Sequence, residues 1–133
     1  MPLVKVFVKQ ALSKPVPLGA LQASMCEIWG TTPATTKLML SRVSEWTGDS
    51  FDEDCFVDVR AKATPERTRE AVLAGMARVR AAFGAHGLVA NVRLETYAAE
   101  SYFHLPPGVA VPSGAIGRTN TRPRRSRRAG TPW

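Results

Sequence analysis

Hydrophobic and polar positions alternate from the first residues of the chain. In Leu3-Val4-Lys5-Val6-Phe7-Val8-Lys9 a valine stands at every second place. Period two is the mark of a strand with one buried face. Ser13-Lys14-Pro15-Val16-Pro17 ends it with two prolines. The period then changes. Leu18, Leu21, Met25, Ile28 and Trp29 fall at steps of three and four, which predicts a helix over 17–29 with Pro17 in its first turn and Gly30 at its stop. A threonine-rich loop, 31–36, leads into a second strand over 37–46, Lys37 to Trp46. Residues 47–54 are a polar loop carrying one aromatic, Phe51.

The same order then repeats. Residues 55–61 read as a strand. Thr64-Pro65-Glu66 carries three helix-start signals, a capping threonine, a proline and an acid in the first turn. Val72, Met76, Val79 and Phe83 make the buried stripe of that helix, and Gly84 and Gly87 end it. Residues 88–97 are the closing strand, followed by a loop bearing Tyr102 and Phe103. A helix of three to four turns is the usual crossover between parallel strands. Two such β-α-β units predict an α/β (α+β) fold: one four-stranded mixed sheet with both helices on one face. The other face, read as mostly apolar, is left uncovered and asks for a partner copy. Beyond residue 105 no period survives. The expected organisation is a domain over 1–105 and a mobile Pro/Gly/Arg-rich tail over 106–133.

Length and charge refine this picture. A chain of 133 residues holds one modest core. No apolar run approaches membrane-spanning length, and the start lacks the pattern of a secretory signal, so a cytoplasmic protein without a membrane partner is expected. The net charge of +7 is a property of the tail. Arg118, Arg122, Arg124, Arg125, Arg127 and Arg128 face no acid, which leaves residues 1–117 at +1. Nucleic acid is therefore expected to bind only weakly and non-specifically, through the tail. Cys26 and Cys55 stand apart with no CxxC pattern, as two thiols rather than a metal or redox site. No metal or cofactor is expected.

The candidate chemistry lies at Pro2. Met before Pro is normally trimmed, which would leave a free secondary amine at the head of a buried strand. An ordinary α-amino group has a pKa near ~8. Nearby cations and burial both lower it, so the neutral amine becomes available as general base or nucleophile. Arg42 is a candidate clamp for a substrate carboxylate, because guanidinium binds carboxylate through two parallel hydrogen bonds. Arg60 and Lys62 are further cations near the strand-to-helix turn. Trp46, Phe51 and Tyr102 are candidates for an apolar wall. His86 and His104 read as surface residues.

A proline heading Leu3-Val4-Lys5-Val6 in a chain of duplicated β-α-β layout resembles the tautomerase superfamily. Ser41-Arg42-Val43 with Trp46 is similar to the second strand of that group's carboxymethyl-hydroxymuconate isomerase. Phe56-Val57 through Lys62, with the helix behind it, is similar to the third strand and second helix. The resemblance spans about 2–105. It implies a homotrimer with sheets facing inward, and sites between subunits, each around one terminal proline. It implies a cofactor-independent keto–enol tautomerase or isomerase of a small 2-oxo acid, with basic side chains on the substrate carboxylate and aromatic residues excluding water. A hydratase, dehalogenase or decarboxylase on a small carboxylate, or a non-catalytic binding module, would use the same fold. Two positions depart from the macrophage migration inhibitory factor form. Thr31 and Thr32, not lysine, follow Gly30, and Ala90 or Asn91 stands near that group's site tyrosine.

Overall fold

A computed structural model describes residues 2–48 and 52–112. The chain divides into two compact units, Met1–Ser101 and Tyr102–Trp133. The first holds all the regular structure found among the described residues: β1 (Leu3–Lys9), α1 (Leu18–Trp29), a 3-10 turn (Pro33–Thr35), β2 (Lys37–Val43), β3 (Cys55–Lys62), α2 (Arg69–Gly84), β4 (Ala90–Tyr97) and a 3-10 turn (Ala99–Ser101). In the second unit, 102–112 form irregular backbone that turns at Gly108, where Val109 N–H donates to Pro106 O at 3.2 Å. Phe51 and the arginine-rich segment 118–133 lie outside the described residues.

The strands form one mixed sheet in the order β2-β1-β3-β4. β1 runs parallel to β2 and β3 parallel to β4, and the two pairs meet antiparallel at β1–β3. This is the doubled β-α-β layout that the periodicity predicts, with each helix as a crossover. The alternation in β1 settles its faces. Val4, Val6 and Val8 are fully buried, as are Val57 and Val59 of β3. They meet Leu21 and Met25 of α1 and Val79 and Phe83 of α2 in a single core. Each such side chain contributes roughly 1.5–3 kcal/mol by leaving water.

Helix boundaries follow local chemistry. α1 stops where Gly30 takes a left-handed conformation (φ 65°), which returns its N–H to Cys26 O. The expected start of α2 at Thr64 is corrected. Residues 64–67 close a turn, with Arg67 N–H donating to Thr64 O at 3.0 Å, and the helix begins only at Arg69. Thr68 is the cap that forms, its Oγ1 accepting from Ala71 N–H at 3.2 Å. β2 also ends at Val43, short of Trp46.

The second correction concerns the sheet face turned away from the helices. Leu3, Phe7, Met39 and Phe56 lie there, but interleaved with Lys5, Lys9, Asp58, Arg60, Lys62 and Arg93. The face is amphipathic, not mostly apolar. Its cations cover its aromatics: Arg93 Cζ lies 5.5 Å from the Phe56 ring centre and Lys9 Nζ 5.5 Å from that of Trp46.

Candidate functional site

Pro2 is fully buried at the head of β1. Its carbonyl accepts from Lys37 N–H at 3.3 Å, the rung before the Leu3–Lys37 pair, so the sheet fixes its backbone. Thr36, 2% exposed, precedes that rung, and its hydroxyl shares a 2.5 Å hydrogen bond with that of Thr31. Sequence reading treats 31–36 as a connecting loop and misses this pair. Its signal is the cluster of threonines itself, since a buried hydroxyl needs a partner and a second threonine supplies one.

The antiparallel β1–β3 register brings cations to the same end. Leu3 pairs with Arg60, so Lys62, two residues on, extends along the sheet past the strand head. Both side chains are exposed and lie on the face away from the helices. Neither enters an ion pair with the described residues, although Glu95 neighbours Arg60 across β3–β4. Arg67 adds a third cation, its Nη1 donating to Lys62 O.

The other expected site residues lie elsewhere in the chain. Arg42 pairs in register with Val8, six residues along β1 from Pro2 and so about 20 Å away. Its Nη1 donates to Leu12 O at 3.2 Å. Within one chain it does not meet Pro2. Trp46 lines a 430 Å³ cavity with Phe7, Val43, Phe56 and Asn91, at the far end of β1 from Pro2. Phe7 and Phe56 face each other there with ring centres 6.3 Å apart. Tyr102 belongs to the second unit. The chain therefore presents two separate groups: the proline with its cations at one end of β1, and an aromatic cavity at the other.

The charged groups ahead of β3 are bound structurally. Asp54 Oδ2 accepts from Lys14 Nζ and from Val89 N–H, each at 2.8 Å. The Lys14 bond, then the Val89 bond, hold its carboxyl below the usual range. Burial, reinforced by the charge of Asp54, pushes the Cys55 thiol up to about 11. Cys26 and Cys55 are free thiols, half-buried and buried. His86 and His104 are exposed, as expected. No helix among the described residues is long and apolar enough to cross a membrane.

The sequence matches no protein-family profile and no curated protein. Its fold matches solved structures closely in extent. A fused 4-OT superposes with a TM-score of 0.60 at 13% identity, covering 87% of this chain and 99% of that one. An FG41 malonate semialdehyde decarboxylase gives 0.56 at 13% identity, covering 87% and 96%. A macrophage migration inhibitory factor of Toxoplasma gondii gives 0.53 at 14% identity, covering 77% and 95%. All three are tautomerase-superfamily structures, so the fold that the resemblance implies is the fold observed.

Proposed function

We propose that the chain is a keto–enol tautomerase or isomerase of a small 2-oxo acid, with Pro2 as its general base once Met1 is removed. The observation that carries the reading is the placement of Pro2: buried, held by the sheet, and flanked in register by cations that pair with no described acid. Those cations disfavour the protonated amine and keep it available as a base. Arg60 and Lys62 hold the substrate carboxylate. The neutral Pro2 nitrogen takes a proton from the enol hydroxyl, and the prolinium returns it to the adjacent carbon. The enol becomes the ketone, and the enzyme ends unchanged.

The aromatic wall comes from a neighbouring subunit. The cavity of Trp46, Phe7 and Phe56 lies too far along β1 to serve the same chain's Pro2. A homotrimer joins one subunit's proline end to another's aromatic end, and Arg42 would reach a site in the same way. Fused 4-OT structures of the same fold are symmetric and asymmetric trimers. Decarboxylation of a β-oxo acid is the second reading. Two cations favour it, since one can hold the carboxylate while the other polarises the carbonyl.

The test is turnover of an enolised 2-oxo acid, phenylenolpyruvate, by protein whose N-terminus has been verified by mass. One alanine inserted ahead of Pro2 turns the amine into an amide. Activity should fall by a factor of about 10²–10⁴ with the trimer intact. Undiminished activity in the extended chain refutes the base role. A rate that falls as pH rises, together with CO2 release from a β-oxo acid, would replace tautomerisation with the second reading, because that Pro2 would act in its protonated form.

A further inference from the structure

A second cavity, of 580 Å³, lies between α2 and β4 on the helix side of the sheet, away from Pro2. The volume falls in the range of small-molecule sites. Its wall includes Glu53, a carboxylate only 6% exposed. Glu53 Oε2 accepts from Asn91 Nδ2 at 3.3 Å, while Oε1 is buried with no partner among the described residues. A buried carboxylate oxygen left without a donor is costly, and a donor brought by a ligand relieves that cost.

The cavity is polarised along its length. Leu73, Met76 and Arg80 stand at steps of three and four on the wall contributed by α2. The chain turns back from Phe83 through Leu88 into β4, so the last turns of α2 lie over the first residues of β4. Arg80 is therefore at the end where Glu53 meets Asn91. Leu73 and Met76, with Val92, form the opposite, apolar end, and Leu73 is 51% exposed. A carboxylate and a guanidinium share one end, and only hydrocarbon lines the other.

We propose that this cavity is a binding site for an apolar α-amino acid. Such a molecule carries its ammonium and its carboxylate on one carbon and its hydrocarbon on the other side. The ammonium donates to the Glu53 carboxylate, whose Oε1 has no donor among the described residues. The ligand carboxylate meets Arg80, and the apolar side chain lies along Leu73, Met76 and Val92. Glu53 and Asn91 also border the cavity of Trp46, Phe7 and Phe56, but the site does not use Pro2, Arg60 or Lys62, and its occupancy does not depend on Pro2.

The probe is L-phenylalanine, titrated into isotope-labelled full-length protein and followed at the Asn91 side-chain amide and the Met76 methyl. Saturable shifts are expected at both. 3-Phenylpropionate lacks the ammonium and phenethylamine lacks the carboxylate, and each should bind at least about tenfold more weakly. Glu53→Gln should weaken phenylalanine to a similar degree. If Glu53→Gln fails to fold, the exposed Arg80→Gln, with the two analogues on the unaltered protein, decides the matter alone. The absence of saturable shifts, or binding that neither analogue nor variant weakens, overturns the proposal and leaves Glu53 and Arg80 as parts of the scaffold.

Discussion

The two halves of this molecule place very different groups at one structural position. Counted back from the first buried core residue of each leading strand, Val4 in β1 and Cys55 in β3, Pro2 and Glu53 stand two residues ahead, and both are buried. In the second half the surrounding charges are joined to the frame. Asp54 is tied to Lys14 and to the backbone of Val89, and Glu53 to Asn91 through Oε2 alone. At the head of the first half the nearby charges, Arg60 and Lys62 brought there by β3, pair with no described acid. The doubled layout thus supplies two equivalent strand heads, and the pattern of partners separates them. Groups that already have partners hold the fold together, whereas Arg60 and Lys62, which pair with no acid among the described residues, are the cations proposed to meet a substrate carboxylate.

The sharpest way to break this contrast is to remove a charge from each head. Arg60→Ala should lower kcat/KM for a carboxylate substrate by about 10- to 100-fold, the value of a hydrogen bond to a charged group. It should spare a neutral ester analogue and leave the melting temperature nearly unchanged. Arg42→Ala, which loses a bond to Leu12 O, should cost less than Arg60→Ala on the same substrate. Steady-state kinetics on both substrates make the comparison. Equal losses on acid and ester would return Arg60 to the frame.

Stability should be lost from the second half instead. A Cβ at Gly75 would lie 2.4 Å from Trp29 Cη2, so Gly75→Ala forces the indole out of the α1–α2 contact. Overpacking of this kind costs about 1–3 kcal/mol, read as a lower melting temperature with altered tryptophan fluorescence. Asp54→Ala should cost about 1–2 kcal/mol at neutral pH, toward the low side because Lys14 is half-exposed. The sign of its pH dependence follows from the lowered carboxyl. That stability is fully present above the ordinary carboxylate pKa of about 4 and is lost as pH falls through the lower folded value. Denaturant melts of wild type and Asp54→Ala should converge in strong acid. Thr68→Ala should cost least, about 1 kcal/mol from one cap, whereas Thr64→Ala leaves the cap intact.

Much of the frame was legible because it rests on local pattern. Valines at every second place can only line one face of a strand, and the Leu21–Met25 spacing can only line one side of a helix. The layout and the buried Pro2 follow from such patterns. Two features depend on contacts between distant segments, and a third on a choice between neighbouring threonines. The β1–β3 register sets Arg60, not Arg42, beside the head of β1. The burial of Glu53 depends on Asn91, 38 residues away. The cap of α2 fell to Thr68 because Thr64 was taken into a turn with Arg67, and both threonines satisfy the same local rule. Composition also misled on the open face, where lysine and arginine alternate with the apolar residues of the very strands that carry them.

The central proposal is that Pro2 is a neutral base made available by cations that pair with no described acid. A titration of the N-terminal amine by NMR, on trimmed protein with 15N-labelled proline, tests it most directly. The account predicts a pKa below the value of about 8 for an ordinary α-amino group, rising when Arg60 and Lys62 are both replaced by alanine. A pKa at or above that value, unmoved by the double substitution, would contradict it.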